Sequence, residues 1–194
     1  DIVIGDILDT DALERTIKGA KIVYNFAALA DLNQALNNPI ETVKINILGN
    51  LNVLEACRIH NVERFIYAST VYVQSREGGF YKCSKKSSES YVEEYQKLYG
   101  LDYTILRYGS LYGPRADETN GIYRIISSAL RTGMVRYQGN VESIREYIHV
   151  DDASRASVAI LEDPFENETI ILTGQELLRV IDLVKMVAEI LNLS

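Results

Sequence analysis

The sequence predicts an α/β fold with a doubly wound parallel sheet and helices on both of its faces. Short apolar runs rich in β-branched residues alternate with longer segments of helical periodicity along the first half of the chain. No hairpin turn signal joins two apolar runs, so consecutive strands are expected to be parallel and linked by helices. At 194 residues, with 47% hydrophobic and 24% charged residues, the composition is that of a globular protein.

The elements of the first half have clear local signals. Asp9 and Asp11 cap a helix that Gly19 ends, an Asn-Pro pair starts the next long helix, and Gly100 ends a third. The predicted order is a strand at Ile2–Ile4, a helix from Asp9 to Ile17, a strand at Lys21–Phe26, a helix at Ile40–Ile59, a strand at Arg64–Thr70, a helix at Tyr81–Tyr99 and a strand at Tyr103–Tyr108.

The second half has a different pattern, which predicts a partial second lobe rather than more repeating units. It contains a Gly-Pro loop, and no repeat or low-complexity linker separates it from the first half. The predicted elements are a helix at Ile122–Leu130, an extended segment at Ser143–Val150, a helix at Asp151–Leu161, a strand at Thr169–Leu172 and a helix at Leu177–Leu193.

Composition excludes several classes of protein. The formal net charge of −7 argues against nucleic acid as a partner, because binding to phosphates needs a basic surface. No apolar run is long enough to span a membrane, and no charged-then-apolar leader is present, so we expect no membrane association. Cys57 and Cys83 are too far apart for a metal-binding motif; we expect no metal site and a reducing, cytoplasmic location.

The predicted strand ends locate the expected ligand site. In doubly wound sheets, ligands bind at the carboxyl ends of the strands. Four short segments follow predicted strands and are therefore expected along one edge of the sheet: Gly5-Asp6, Phe26-Ala27-Ala28, Ser69-Thr70 and Tyr108-Gly109-Ser110.

One pair of residues at this edge has the chemistry of an acid/base catalyst. Tyr81 and Lys85 are four residues apart on a predicted helix, so they share a face, and a nearby ammonium favours the phenolate that a base requires. The Thr70 hydroxyl, at the preceding strand end, is placed to hydrogen-bond the same substrate oxygen. The alternative is an exposed tyrosine and lysine, with Thr70 capping the strand.

Eight short motifs follow one another in an order that resembles the extended short-chain dehydrogenases/reductases, and most closely the NAD-dependent nucleotide-sugar epimerase/dehydratase family. The resemblance covers essentially the whole chain. The motifs are GDILD at Gly5–Asp9, NFAA at Asn25–Ala28, NILGN at Asn46–Asn50 followed by LEA at Leu54–Ala56, YAST at Tyr67–Thr70, Tyr81 with Lys85, LRYG at Leu106–Gly109, YGPR at Tyr112–Arg115 and REYIHVDD at Arg145–Asp152.

The resemblance implies a Rossmann-like fold, NAD as the cofactor and a role for each matching residue. Residues 1–113 are expected to form the NAD-binding domain, and residues 114–194 a partial substrate-binding lobe interleaved with its last elements. The implied catalytic residues are Thr70, Tyr81 and Lys85. The implied cofactor-binding residues are Asp6, Ile7, Phe26, Ala27, Ala28, Leu29, Asn46, Ala68, Ser69, Tyr81, Lys85 and Tyr108. The implied substrate-binding residues are Thr70, Ser110 and Arg145.

Most of these residues also have a purely structural interpretation. Asp6 fits a turn, the Ala27-Ala28 pair fits close packing, and Asn46 fits a satisfied polar residue in a buried helix. Arg145 fits a surface position on a strand. Other residues near the motifs are assigned no catalytic role: His149 is interpreted as structural, Cys83 as a spectator, and Tyr91, Tyr95 and Tyr99 as a packing or subunit-contact stripe.

The sequence also departs from the family pattern. The family's G-x-x-G-x-x-G turn, which binds the cofactor pyrophosphate, has no counterpart in the 194 residues. We therefore expect the chain to lack the family's first strand, glycine turn and helix, and to bind NAD poorly by itself. Thr70 is followed by Val71-Tyr72, whereas 4,6-dehydratases carry Asp-Glu there. Ser110 replaces the usual Asn, and Gln74-Ser75 replaces the usual Tyr-Gly.

The resulting hypothesis is a UDP-glucose 4-epimerase-like enzyme, an isomerase that acts on a nucleotide sugar by transient hydride transfer. A nucleotide-sugar dehydratase or reductase uses the same residues, and a non-catalytic Rossmann-type binding protein is an alternative of another class. A homodimer formed through the helices at 40–59 and 81–99, with Leu51, Tyr91 and Tyr95 on its surface, is also expected. The alternative is that these helix faces only cover the sheet.

Overall fold

The computed structural model describes residues 2–193. These residues form two compact units. The first unit contains the residues up to Arg107 together with Ala159–Ile171. The second contains Tyr108–Val158 together with the residues from Leu172 onward. The domain boundary after residue 113 stays a prediction from the sequence.

Helices and strands alternate through the first unit, as the sequence predicted. Within residues 2–193 the α-helices are α1 (Thr10–Ile17), α2 (Leu32–Asn37), α3 (Pro39–Val43), α4 (Asn50–Ile59), α5 (Gly79–Tyr99), α6 (Gly121–Thr132), α7 (Val150–Ala159) and α8 (Val180–Ile190). The strands are β1 (Ile22–Asn25), β2 (Arg64–Thr70), β3 (Asp102–Tyr108), β4 (Ser110–Tyr112), β5 (Ile144–His149), β6 (Glu168–Leu172) and β7 (Leu177–Arg179).

Two sheets are formed by the described residues. The larger has four strands in the order β1-β2-β3-β6, and β1 pairs with β2 in parallel from Ile22 opposite Arg64 to Asn25 opposite Tyr67. The smaller has the order β4-β5-β7, in which β4 and β5 are parallel and β5 and β7 are antiparallel. The parallel α/β fold predicted from the alternation of strands and helices is confirmed.

The core of the first unit packs the helices α4 and α5 against β2 and β3. Leu54, Cys57, Phe65 and Ile105 are all 0% exposed in this core. Fully burying a large apolar side chain stabilises the folded state by about 1.5–3 kcal/mol. The central strand β2 is buried along almost its whole length, so its carboxyl end has a fixed position at the edge of the sheet.

The long helix predicted at 40–59 forms as one continuous helical run with an irregular centre. The helices α3 and α4 flank a π-helical segment, Lys44–Gly49. π-Helical segments are rare, and many of those that are known lie at functional sites. Asn46 lies in this segment and is 2% exposed. Within residues 2–193, no helix combines the length and the apolar character that a membrane span requires.

Two predicted elements are wrong. Ile2–Ile4 does not form a strand: Ile2 is 95% exposed and Ile4 97% exposed, and this segment has no strand partner among the described residues. The helix predicted from Leu177 begins only at Val180, because Leu177–Arg179 pairs with β5 as an antiparallel strand. An apolar run is stabilised as a strand only when a neighbouring strand supplies hydrogen bonds, which local sequence does not reveal.

Candidate active site

The carboxyl end of β2 and the start of α5 bring Thr70 and Tyr81 together. The Thr70 Oγ1 accepts a hydrogen bond of 3.2 Å from the Tyr72 backbone N–H and so caps a short 3₁₀ helix, Val71–Gln74. Gly78 then starts α5 with a φ of 99°. A Cβ at Gly78 would lie only 3.0 Å from the Tyr72 Cβ, so glycine is required where the 3₁₀ turn meets the helix.

Tyr81 is half-buried near Thr70 and retains its proton in the chain alone. Burial raises the pKa of Tyr81 to about 12, and a side-chain hydrogen bond with Thr70 offsets only part of this increase. The Lys85 Nζ lies 5.9 Å from the centroid of the Tyr81 ring. We expected this lysine to lower the pKa of the phenol; in the ligand-free chain, desolvation outweighs any such effect.

Lys85 is a buried cation with a fixed position. It is 2% exposed, and its Nζ donates a hydrogen bond of 2.8 Å to the Ala68 carbonyl oxygen. The same atom lies 4.8 Å from the centroid of the Tyr67 ring, within the range of a cation–π interaction. Burial lowers the pKa of Lys85 to about 8, while the negative charge of Glu89 raises it.

The Ser69 hydroxyl is engaged with a buried ion pair. Ser69 Oγ donates a hydrogen bond of 2.5 Å to Glu89 Oε1, and Arg107 binds both carboxylate oxygens of Glu89 at 2.9 and 2.7 Å. Thr70, not Ser69, therefore presents the hydroxyl next to Tyr81. Glu89 and Arg107 were not among the predicted site residues.

The loop after β1 is held in place by asparagine side chains. Asn46 accepts a hydrogen bond of 2.7 Å from the Leu29 N–H and donates one of 3.1 Å to the Leu29 carbonyl oxygen. Its Nδ2 also donates to Ser84 Oγ at 2.9 Å, which connects the loop to α5. At the other end of the loop, Asn25 Oδ1 accepts from the Ala27 N–H at 3.1 Å. The backbone around Ala27 and Ala28 is thus ordered by polar contacts, not only by close packing.

The remaining predicted cofactor residues of the first unit, Asp6, Ile7 and Phe26, lie outside its helices and strands. The Phe26 side chain is 59% exposed and stacks on Tyr24, with ring centroids 6.1 Å apart. Asp6 forms a turn in which Oδ1 accepts from the Leu8 N–H at 2.9 Å. Ile7 packs on the backbone of Gly49: a Cβ there would lie 2.7 Å from Ile7 Cγ2.

Tyr108, Ser110 and Arg145 belong to the second unit. The Tyr108 hydroxyl lies 2.6 Å from Ser157 Oγ on α7. Ser110 is the first residue of β4, and Arg145 lies in β5 opposite Leu178 of β7. The roles of these three residues in binding cofactor or substrate stay predictions from the sequence.

The second unit has a pocket of its own. Its volume is about 770 Å³, and it lies between α6, α8 and the end of β5. His149 and Asp152 contribute polar groups to its wall, whereas Ser110 and Arg145 are not among the described residues that line it. His149 Nδ1 accepts a hydrogen bond of 3.2 Å from the Asp151 N–H, and the structural role expected for this histidine stays a prediction.

Comparison with known proteins finds solved structures that are similar to this chain in both sequence and fold. UDP-glucose 4-epimerase of Thermotoga maritima, solved with UDP-glucose, is 30% identical, with a TM-score of 0.88 over 98% of this chain and 68% of that chain. UDP-glucuronic acid 4-epimerase of Bacillus cereus, solved with UDP-glucuronic acid and NAD, is 28% identical, with a TM-score of 0.89 over 98% of this chain and 65% of that chain.

Dehydratases are similar as well. The dTDP-glucose 4,6-dehydratase of Streptomyces antibioticus is 29% identical over 161 residues, which are 76% of this chain and 48% of that protein. The chain spans between 57% and 63% of the length of the first three curated relatives that it matches. The sequence model of the NAD-dependent epimerase/dehydratase family matches residues 1–173. This match covers most of the sequence, and the chain therefore belongs to the NAD-dependent epimerase/dehydratase family.

Proposed function

We propose that this chain carries the catalytic edge of an NAD-dependent nucleotide-sugar 4-epimerase. The observation that supports this most strongly is the cluster of Thr70, Tyr81 and Lys85 where β2 ends and α5 begins. A phenol, a hydroxyl and an ammonium at this position can bind and deprotonate a sugar hydroxyl. Similar 4-epimerases of known structure bind UDP-sugars.

The residues present fit NAD. An ammonium carries three N–H donors, and the hydrogen bond from Lys85 to Ala68 uses one of them. The others can bind hydroxyls of a ribose. The ordered backbone from Ala27 to Leu29, held by Asn46, provides a second surface at the same edge of the sheet. When bound, NAD would supply a reversible hydride acceptor for the sugar carbon.

The protein's own contribution is proton transfer at the sugar oxygen. Tyr81 removes the proton of the sugar hydroxyl and later returns it, while Thr70 donates a hydrogen bond to the reacting oxygen. Because the pKa of Tyr81 is about 12 in the chain alone, it acts as a base near neutral pH only when binding adds positive charge or hydrogen-bond donors around its oxygen. Lys85 contributes fixed positive charge 5.9 Å from the ring centroid.

The residues after Thr70 favour epimerisation over dehydration. Elimination of water needs an acid and a base beside the sugar carbons. Val71 and Tyr72 occupy the positions that follow Thr70, and they form the 3₁₀ helix rather than present carboxylates. An epimerase has no need of such a pair, because it returns the hydride without loss of water.

Turnover of sugar nucleotides tests this function. The complete gene product that carries this chain should interconvert the 4-epimers of UDP- or dTDP-hexoses without net release of NADH. Tyr81→Phe should lower kcat by about 10²- to 10⁴-fold, as expected for loss of an acid/base group. Tyr91→Phe, on the exposed side of the same helix, should keep the wild-type rate. Stoichiometric NADH would instead identify a dehydrogenase, and a 4-keto-6-deoxy product a dehydratase.

We further propose a homodimer formed through α4 and α5. Tyr91 is 41% exposed and Leu98 is 69% exposed on α5, which supports a contact surface there. Leu51 and Tyr95 pack partly against the core of the first unit, so their share in such a surface is smaller than expected. Sedimentation equilibrium of wild type and Tyr91→Glu tests the dimer. The cytoplasmic location stays a prediction from the sequence.

A further inference from the structure

A buried carboxylate joins three elements beneath the proposed active site. Glu89 on α5 is 4% exposed. Its carboxylate accepts a hydrogen bond of 2.5 Å from Ser69, the penultimate residue of β2, and two from Arg107 on β3 at 2.9 and 2.7 Å. A bidentate arginine contact of this kind fixes both distance and orientation. Glu89, on α5, therefore fixes the position of the helix relative to the ends of β2 and β3.

The same carboxylate lies one helical turn after Lys85. Residues four apart on a helix share a face, and Lys85 is buried with its Nζ bound to the Ala68 carbonyl oxygen. The titratable groups that face this ammonium are Tyr67 from β2 and Tyr81 and Glu89 from α5. Arg107 from β3 acts on it through Glu89.

We propose that Glu89 is a positioning residue of the Thr70–Tyr81–Lys85 site. Through Ser69 it anchors the strand end that carries Thr70, and through its charge it keeps Lys85 an ammonium. The importance of this role for catalysis rests on the proposed function. The anchoring of Ser69 and the electrostatic effect on Lys85, however, do not depend on a substrate. Glu89 itself touches neither Tyr81 nor Thr70 among the contacts that the structure describes, so it acts through its neighbours.

The sign of the electrostatic effect follows from the surroundings of Lys85. Burial lowers the pKa of Lys85 to about 8, and Glu89 opposes this decrease. Replacing Glu89 with glutamine removes the negative charge but leaves the buried Lys85 and the positive Arg107. The pKa of Lys85 must then fall further, because desolvation and the remaining cation both disfavour the ammonium.

A direct test follows the titration of Lys85 by NMR of ¹³C-labelled lysine side chains, with the signal assigned by its loss in Lys85→Arg. In Glu89→Gln, the midpoint should move to lower pH than in wild type. Glu94→Gln removes the same charge from an exposed position on the same helix and should leave the midpoint unchanged. An unchanged midpoint in Glu89→Gln, or equal shifts in both variants, would overturn the proposal.

Folding and activity are tested separately. If Glu89→Gln does not fold, the double variant Glu89→Gln/Arg107→Gln removes both members of the ion pair, so that neither Glu89 nor Arg107 is left as a charge without its partner. Its Lys85 midpoint should still lie below that of Arg107→Gln alone, and equal midpoints would contradict the proposal. Circular dichroism of each variant establishes that it is folded.

In the complete gene product, the alkaline limit of kcat should move to lower pH in Glu89→Gln, with a fall in kcat on the order of tenfold at pH 8. Glu89→Asp should restore most of the alkaline limit, because the charge is retained. A general loss of activity with an unchanged pH profile would contradict the positioning role. If wild type shows no epimerase activity, the proposed function fails, while the NMR titration still decides the role of Glu89.

Discussion

Asn46 binds both backbone polar groups of Leu29 with one side-chain amide. The Oδ1 accepts from the Leu29 N–H at 2.7 Å, and the Nδ2 donates to the Leu29 carbonyl oxygen at 3.1 Å. The contact spans 17 residues of sequence and fixes a loop that has no regular structure of its own. The loop at the edge of the sheet is therefore preorganised before any ligand binds, which lowers the entropy cost of binding.

Asn46→Ala should destabilise the chain by about 2 kcal/mol, because the partly buried N–H and carbonyl of Leu29 lose their side-chain partner and Ser84 Oγ loses one of its two hydrogen bonds. Urea unfolding measures the loss, and hydrogen exchange should show faster exchange of the Leu29 amide. Asn33→Ala, at an exposed position of α2, should change stability by less than about 0.5 kcal/mol. Equal effects of the two variants would contradict this assignment.

Gly49→Ala should destabilise the first unit because it overpacks the contact with Ile7. The added Cβ would lie 2.7 Å from Ile7 Cγ2. We expect a loss of about 1–3 kcal/mol. In the double variant with Ile7→Ala, much of the cost of Gly49→Ala should disappear, and a double-mutant cycle measures this coupling. Gly121→Ala, where a Cβ meets nothing within 4 Å, is the control. Additive effects of the two substitutions would exclude the contact.

The stability of the chain should rise with pH through the titration of Lys85. The pKa of Lys85 is about 8 in the folded chain, against an ordinary value of 10.5. Between these values the unfolded chain holds a proton that the folded chain has released, so the unfolding free energy rises by about 3 kcal/mol. In Lys85→Met this dependence of the unfolding free energy on pH should be absent. In Lys86→Met, where the replaced lysine is exposed, it should remain. Parallel stability curves for wild type and Lys85→Met between pH 7 and 10 would refute the prediction.

The two cysteines should differ in reactivity. Cys57 is 0% exposed, and burial raises its pKa to about 12, whereas Cys83 is exposed. Because the thiolate is the reactive species, a thiol reagent at pH 8 should modify Cys83 alone in the folded chain. The second thiol should react only after unfolding, and Cys83→Ser should abolish the fast reaction. Rapid modification of native Cys83→Ser would show that Cys57 is accessible.

The elements that the sequence predicts well are those with strong local signals. The helix expected at Tyr81–Tyr99 is α5, which ends where Gly100 adopts a φ of 71°, and the strand expected at Arg64–Thr70 has those bounds. Where a structure depends on distant partners, prediction failed. Leu177–Arg179 is a strand only because β5 lies beside it. The short helix α2 was missed although Asp31 caps it by accepting from the Gln34 N–H at 2.8 Å.

The same distinction applies to the site. Thr70, Tyr81 and Lys85 were expected together from a strand end and a helical spacing, both of which are local. Glu89 and Arg107 were missed because their ion pair joins two elements, α5 and β3, across 18 residues of sequence. A signal was nevertheless present: a glutamate four residues after Lys85 shares its face, and an arginine in a buried strand needs a counter-charge.

The π-helical segment Lys44–Gly49 has a consequence for how this stretch tolerates changes in length. A π turn contains one residue more than an α turn, so the segment is equivalent to an α-helix with one inserted residue. Deleting one residue here can convert it to regular α-helix, whereas a deletion elsewhere in the run turns the following side chains by about 100° about the axis. A deletion within the segment would therefore preserve the helix, but it would move the Asn46 side chain away from the Leu29 backbone.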